Sequence, residues 1–327
     1  SIDYGDSFNV MGSGSGHYNA PQKYSISWLP EAAINTIASG PVSTNIRVYS
    51  LEAQFVQPGR YNAIRVRSTS DRDFWFQYRS TLGGSAGMFL TNGLQVIWTG
   101  NQQTTAQNGQ IDLIDTTPNS PFGKEDSAIS LGRTFYYPIN NLYVTPVAVG
   151  GVSSNAYIDV VVNIGLFPTN LPPVIASLTS SSNNIAVGDT VTFTMAATDP
   201  NLDTLAYDWT FDDFSVGPNS PTATHTFSSA GEFVVRCVVS DMKGGTTSKS
   251  MIINVGNPGT YRIGGVVRDS SFKPVAGVRM DNGQTGNGYR YAYTDSDGSY
   301  TIPGFSAGTY TIGGWKLGYH VEPFATS

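Results

Sequence analysis

Polar and apolar residues alternate along most of this chain with the period of a β-strand. In Leu205-Ala-Tyr-Asp-Trp-Thr-Phe211 the rings of Tyr207, Trp209 and Phe211 fall at every second position, and in Phe74-Trp-Phe-Gln-Tyr-Arg79 Phe74, Phe76 and Tyr78 alternate with Trp75, Gln77 and Arg79. Successive strand side chains point to opposite faces, so both runs read as strands with one aromatic face. Val144–Val149, Tyr157–Ile164, Val191–Met195, Phe233–Ser240 and Ser250–Val255 are further β-branched or aromatic runs bounded by Gly, Pro, Asn or Asp, which predicts more strands. Helical periodicity is nearly absent. It surfaces in Asn19–Leu29, where Tyr24 and Trp28 are spaced i, i+4 and Pro21 suits a first turn, predicting one short helix.

Two stretches interrupt the alternation, Phe167-Pro-Thr-Asn-Leu-Pro-Pro173 and Gly256-Asn-Pro-Gly259. Both read as linkers, the first stiffened by its prolines. The expected fold class is therefore mainly β: a multi-domain chain of β-sandwich modules with a short helix near the N-terminus. The 327 residues suit two or three units of about 100–150 residues.

Composition narrows the function classes. Charged residues make up 13% of the chain and aromatics 12%, against about 25% charged in an ordinary soluble domain. Disorder is excluded, because disordered chains are highly charged and poor in aromatics. A coiled coil lacks its Ala/Glu/Lys/Leu/Arg richness. No apolar run reaches the roughly 18 residues of a membrane-spanning helix. The net charge of −6 with scattered basic residues argues against nucleic acid as a partner. The lone Cys237 rules out an internal disulfide framework. Low charge with many Thr, Ser, Asn and Tyr leans toward an exported protein. Ser1-Ile-Asp-Tyr4 has neither the basic start nor the apolar core of a signal peptide, and no start Met. The expectation is a piece of a longer, secreted protein whose signal peptide lies upstream.

The first forty residues carry a family signature. Tyr4-Gly-Asp-Ser-Phe-Asn-Val-Met-Gly12 is followed by Gly16-His-Tyr-Asn-Ala-Pro-Gln-Lys-Tyr24 and Trp28-Leu29. This resembles the segment after the zinc-ligand helix in gametolysin-like, metzincin-type metallopeptidases, with its Y-G-D-x-x-D-x-M-G and G-H-x-N-A-x-x-K stretches. The resemblance implies that Met11 is the Met-turn methionine beneath a zinc site. The zinc site itself requires H-E-x-x-H-x-x-G-x-x-H, in which two His at i, i+4 and a third His ligate the metal and the Glu activates water. The chain holds three His, namely His17, His225 and His320, and none is followed by Glu. Catalytic residues are therefore expected to be absent from this chain, and zinc to belong to an intact parent whose ligands lie upstream. His17, Asp3 and Asp6 read as structural.

The resemblance continues. Phe74-Trp-Phe-Gln-Tyr-Arg79 is similar to that family's Y-W-x-E-Y-R strand, Gly93-Leu-Gln-Val-Ile97 to its G-V-x-V, Leu113-Ile-Asp-Thr-Thr-Pro118 to its L-L-D-x-T-P, and Ser130-Leu-Gly-Arg-Thr-Phe135 to its L-x-x-G-x-x-F. This implies a tail of the catalytic domain at 1–30 and a peptidase-associated β domain at 31–168. Arg79 reads as a brace for a loop carboxylate.

Segment 171–256 contains Gly188-Asp-Thr-Val-Thr-Phe193, Trp209-Thr-Phe-Asp-Asp213, Thr224-His-Thr-Phe227, Gly231-Glu-Phe-Val-Val235 and Val239-Ser-Asp-Met-Lys-Gly244. It resembles a PKD domain, whose turn W-x-F-G-D-G has Asp212 and Phe214 in place of its glycines here. Thr198-Asp-Pro-Asn-Leu-Asp203 with Asp241 is rich in oxygen ligands. Asp199, Asn201, Asp203 and Asp241 could supply four to calcium, which takes about six to eight. The alternative is a metal-free Asp/Asn turn. His225 reads as buried and hydrogen-bonded.

Segment 259–327 contains Pro274-Val-Ala-Gly-Val278, Thr294-Asp-Ser-Asp-Gly-Ser-Tyr-Thr-Ile302 and Gly308-Thr-Tyr-Thr-Ile312. It resembles the carboxypeptidase regulatory-like, transthyretin-like β sandwich, which implies an appendage without catalytic residues. Asp295 and Asp297 read as a hairpin turn with Gly298 at positive φ. Tyr289, Tyr291 and Tyr293 share one strand face, read as core in preference to a stacking platform. The functional expectation is the non-catalytic C-terminal portion of a secreted zinc metalloendopeptidase, with accessory β modules that bind a protein or polysaccharide substrate or surface. The alternative is an extracellular adhesion protein without protease activity.

Overall fold

The computed structural model describes residues 18–38, 40–51, 57–67, 72–80, 93–100, 111–118, 120 and 123–326. Met11, His17, Asp3 and Asp6 lie outside them. Among the described residues strand dominates, 51% against 6% helix, as the alternation predicts. It divides into two compact units. One takes the described residues of Ser1–Pro118, Phe122–Asn170 and Met242–Gly244, the other those of Asn119–Pro121, Leu171–Asp241 and Gly245–Ser327.

In the first unit, one sheet pairs Ile34–Ile37 in parallel with Ala63–Arg67, then runs antiparallel through Arg72–Tyr78 and Gly93–Gly100 to Ile111–Leu113. A second sheet orders Val42–Tyr49, Tyr157–Ile164, Leu142–Gly150 and Phe135–Tyr137. Ile46, Val48, Ile64, Phe74, Phe76, Val96, Val144 and Val160 share one buried cluster. Trp75, Ile97 and Leu113 point away from it into another, with Ala20 and Leu29. The strand Arg72–Tyr78 is thus buried on both faces, where its alternation predicts one aromatic face. Trp75 and Gln77 are covered as fully as Phe74 and Phe76, and Arg79 is buried too.

The helix is shorter than expected, Ala20–Ser25. Asn19 caps it by accepting from the Gln22 N–H while the Gln22 side chain accepts from the Asn19 N–H, a reciprocal capping box. Ser27 turns left-handed at φ 62°, and the N–H groups of Trp28 and Leu29 both reach back to the Lys23 carbonyl. The turn breaks the i, i+4 pairing of Tyr24 with Trp28: Tyr24 packs beside Trp75, whereas Trp28 is exposed and meets Tyr18 edge-on. Gln77 anchors the helix start. Its Oε1 accepts from the Ala20 N–H at 2.6 Å and its amide donates to Gln95 Oε1 at 2.6 Å.

The second unit holds two sandwiches. The first packs Val174–Ser180, Thr190–Thr198 and Thr222–Thr226 against a sheet ordered Asn184–Ile185, Thr246–Val255, Gly231–Ser240 and Ala206–Thr210. Trp209, Phe193, Phe211, Phe227, Val235 and Cys237 fill its core. Trp209 donates its indole N–H to the Ser220 carbonyl at 2.8 Å, which satisfies the one polar atom that its burial would otherwise strand. The turn after Trp209 keeps left-handed backbone without its glycines: Asp212 sits at φ 63° and Phe214 at φ 68°. Such backbone costs a non-glycine residue about 1–2 kcal/mol.

The C-terminal sandwich packs Tyr261–Val266 and Ser299–Phe305 against a sheet ordered Tyr291–Tyr293, Arg279–Asp281, Tyr310–Trp315 and Phe324–Thr326. Val278, Met280, Ala292, Ile302, Phe305 and Ile312 form its core. Gly298 adopts φ 77°, and a Cβ there would stand 2.4 Å from the Val267 carbonyl oxygen. The turn therefore demands glycine for space as well as conformation.

The two sandwiches meet at Glu232. Its side chain, 4% exposed, accepts from Arg262 Nε at 2.6 Å, from Thr260 Oγ1 at 2.5 Å and from the Gly304 N–H at 3.2 Å. Burial pushes its pKa up, and these donors more than offset that, leaving it below the ordinary 4.5. A carboxylate held below its unfolded value stabilises the fold above that value, and the contribution fades as pH falls through the folded one. Glu232→Gln should lower stability by about 1.5 kcal/mol at neutral pH, and the gap from wild type should close as the melting temperature is followed from pH 7 to pH 3. Phe214, 51% exposed, tests the turn: Phe214→Gly should raise stability by about 1 kcal/mol in denaturant unfolding.

Candidate functional site

The oxygen-rich turn of the second unit is closed largely by its own backbone. Asp199 Oδ1 accepts from the Asn201 and Asp203 N–H groups at 2.8 and 3.1 Å. Asn201 Oδ1 accepts from the Leu171 N–H at 2.7 Å, and Asp241 Oδ1 from the Gly245 N–H at 3.0 Å. A Cβ on Gly245 would collide with Asp241 Oδ2, so glycine lets the chain pass beside that carboxylate. The Asp199–Asn201 bond is that of an Asx turn, and the Asn201 side chain reaches the chain thirty residues away at Leu171. Asp199 Oδ2 is buried without a hydrogen-bond partner. Among the described residues no group of three or more His, Cys, Asp or Glu is gathered to hold a metal ion, and the calcium expectation gains no donor set here.

His225 is hydrogen-bonded as expected, and is partly rather than fully buried. Its Nε2 stands 2.6 Å from Asp213 Oδ2, its ring lies flat on Phe211 at 4.3 Å, and it meets Phe227 edge-on. Ser215 donates to Asp213 Oδ1 at 2.5 Å. The carboxylate thus serves both neighbours, and Ser215 Oγ, 3.5 Å from Nε2, has no activated route to a substrate. Cys237 is buried, and burial pushes its thiol above the ordinary range, so it is no nucleophile. His320 is exposed and pairs with Glu322. None of these groups has the nucleophile, base and orienting partner that covalent hydrolysis needs.

The face with binding character is the outside of the C-terminal sheet. Met280, Ala292 and Ile312 point into the core, so the residues between them point out. In register, Arg279 lies opposite both Tyr293 and Trp315, and Asp281 opposite both Tyr291 and Gly313. Tyr289, Tyr291 and Tyr293 are half-buried on this outer face, where the sequence reading placed them in the core. Alternation fixes that the three share a face but not which face, and the small Ala292 between them is the buried one. Tyr289 and Tyr291 stack at 5.4 Å between centroids, and Tyr291 meets Tyr293 edge-on at 5.8 Å. Arg279 Nε pairs with Asp281 Oδ2 at 3.1 Å, and Tyr289 donates its hydroxyl to the same oxygen at 3.2 Å. Burial, with Asp281 close by, pushes the Tyr289 phenol up to about 12, so it stays a donor at every physiological pH. Trp315 is 38% exposed, and a side chain added at Gly313 would meet open space. Exposed indole, phenol rings, a carboxylate and a guanidinium thus surround a glycine floor. Sequence reasoning passed over Arg279, Asp281 and Trp315, because their juxtaposition arises from strand register alone.

Among the described residues no helix is long and apolar enough to cross a membrane. No curated protein matches the chain. Solved structures similar to it include the PKD domain of an M14-like peptidase from Thermoplasmatales archaeon SCGC AB-540-F20, at 25% identity over 27% of this chain and 98% of that one, with a TM-score of 0.25. The PKD1 domain of the Vibrio cholerae metalloprotease PrtV matches at 21% identity over 26% and 98%, with a TM-score of 0.23. A study of carbohydrate-binding modules from the β-sandwich superfamily supplies a third, at 18% identity over 45% and 56%, with a TM-score of 0.25. Residues 175–254 match the PKD domain family; this stretch of the chain is a PKD domain.

Proposed function

We propose that this chain is the non-catalytic C-terminal portion of a secreted zinc metalloendopeptidase, and that its β modules attach the enzyme to a protein or polysaccharide substrate or surface. The observation that carries the attachment role is the outer face of the C-terminal sheet, with Trp315, Tyr289 and Tyr291 beside the Arg279–Asp281 pair. Rings with polar tips provide contact area at low entropic cost, and a paired guanidinium and carboxylate orient a ligand rich in amides or hydroxyls. The protease parentage is supported by the metzincin-like run around Met11 and by the motifs that follow it in order. The chain's part in that activity is tethering, which raises the effective concentration of enzyme at its substrate without new chemistry. An adhesion protein without protease activity is the second reading. It is favoured by the same face and by the lack of any His-Glu-x-x-His in the sequence.

Incubated with zinc and casein, the chain should release no peptides; hydrolysis that a chelator abolishes would overturn the non-catalytic assignment. In co-sedimentation with insoluble collagen fibres and with insoluble cellulose, the chain should be retained on at least one solid. Trp315→Ala should weaken that retention about tenfold, as expected for a buried aromatic contact. Equal recovery of wild type and variant in both supernatants would remove the attachment role.

A further inference from the structure

Among the described residues the strand Thr246–Val255 has only one full-length neighbour. Gly231–Ser240 pairs with it throughout, whereas on its other side Asn184–Ile185 covers Asn254 and Val255 alone. The amides of Asn254 and Gly256 face that side and reach the Asn183 and Ile185 carbonyls. The amides of Ser248 and Ser250 have the same parity and lie beyond the reach of Asn184–Ile185. A strand edge left in this state is a template for pairing with another chain.

The C-terminal sandwich supplies the missing partners. Asp295 Oδ2 accepts from the Ser250 N–H at 2.7 Å, and Ser296 Oγ accepts from the Ser248 N–H at 2.7 Å. Asp295 Oδ1 also accepts from Ser250 Oγ at 2.8 Å and Ser248 Oγ at 3.3 Å, and stands 3.4 Å from Arg236 Nε. The Ser296 N–H returns a bond to the Ser248 carbonyl. Asp295 is 7% exposed. The neighbouring Asp297 does something different: it is exposed and accepts from the N–H and hydroxyl of Ser299 within its own turn. The two aspartates of one Thr-Asp-Ser-Asp-Gly motif thus have separate roles, one closing the turn and the other leaving the module.

We propose that Thr294–Ser296 is an intramolecular edge guard: Asp295 and Ser296 cap the open edge of the PKD sheet and lock the PKD domain and the C-terminal sandwich into one body. The guard's contacts centre on the edge amides of Ser248 and Ser250 and the hydroxyls beside them, with Arg236 on the adjoining strand paired to the same Asp295 carboxylate. The Gly256–Gly259 linker, flexible by composition, is consequently short-circuited by contacts on both sides, with Glu232 and Arg262 at one end of the interface and Asp295 with Ser250 at the other.

Hydrogen exchange on the full chain tests this at single amides. Asp295→Ala should speed exchange at Ser250 roughly tenfold or more, since that amide loses its bond to a charged acceptor, and should expose Gly256–Gly259 to limited proteolysis; Ser248, whose acceptor is Ser296 Oγ, should respond in the same way to Ser296→Ala. Phe193 and Ile302, in the cores of the two sandwiches, report whether both remain folded and should keep wild-type protection. Ser248→Ala combined with Ser250→Ala approaches from the PKD side, leaves the C-terminal sequence untouched, and should raise linker cleavage in the same direction. Asp297→Asn should alter exchange at Ser299 and leave Ser248 and Ser250 unchanged. Wild-type protection of Ser250 in Asp295→Ala, or an uncut linker in both PKD-side and C-terminal variants, would overturn the proposal.

Discussion

A buried backbone amide must find an acceptor, and in the second unit this requirement shapes everything built on the PKD sheet. Its sandwich closes well in the interior, where Trp209, Phe193, Phe211 and Phe227 are buried in one cluster and the one indole donor is satisfied. The difficulty lies at the side, along Thr246–Val255, where strand pairing runs out before the strand does. Past Asn184–Ile185, the amides of Ser248 and Ser250 take their acceptors from outside the sheet. Asp295 and Ser296 meet that need from another module, and the same contacts fix where that module sits. An edge that would otherwise invite a foreign strand becomes the seam of a two-sandwich body.

The seam has consequences for binding. With one side of the C-terminal sandwich engaged through Asp295 and through the Thr260, Arg262 and Gly304 contacts to Glu232, its outer sheet face keeps Trp315, Tyr289 and the Arg279–Asp281 pair. A rigid mount favours attachment, because a ligand that contacts the face does not have to order the linker as well. The rest of the chain adds no rival chemistry among its described residues. Its thiol is buried and His225 is bound by the Asp213 carboxylate.

Much of this was legible in the sequence, and the failures share a cause. Period-2 alternation located the strands, Pro21 with the Tyr24–Trp28 spacing located the helix, and the Trp209-Thr-Phe-Asp-Asp213 run located the PKD domain. Alternation says which residues share a face, but whether that face is core depends on what packs against it. Tyr289, Tyr291 and Tyr293 therefore fell on the wrong side, and Trp75 and Gln77 were not anticipated as a second buried face. The helix ran short because Ser27 takes a left-handed turn that no propensity forbids. Asp295 and Asp297 look alike in sequence, since a carboxylate that caps its own turn and one that caps a distant strand carry the same local signature. Arg279, Asp281, Gly313 and Trp315 sit together only through strand register, which no local pattern encodes.

Joined along the Thr246–Val255 edge, the PKD domain and the C-terminal sandwich should open as one body. Native-state hydrogen exchange of the full chain in increasing denaturant measures this through two core amides, Val235 in the PKD domain and Ile302 in the C-terminal sandwich. Merging of their opening free energies into a single cooperative transition is the predicted result. Opening of Ile302 at clearly lower denaturant than Val235, with Ser250 deprotected alongside it, would contradict it, because the C-terminal sandwich would then unfold as an independent module.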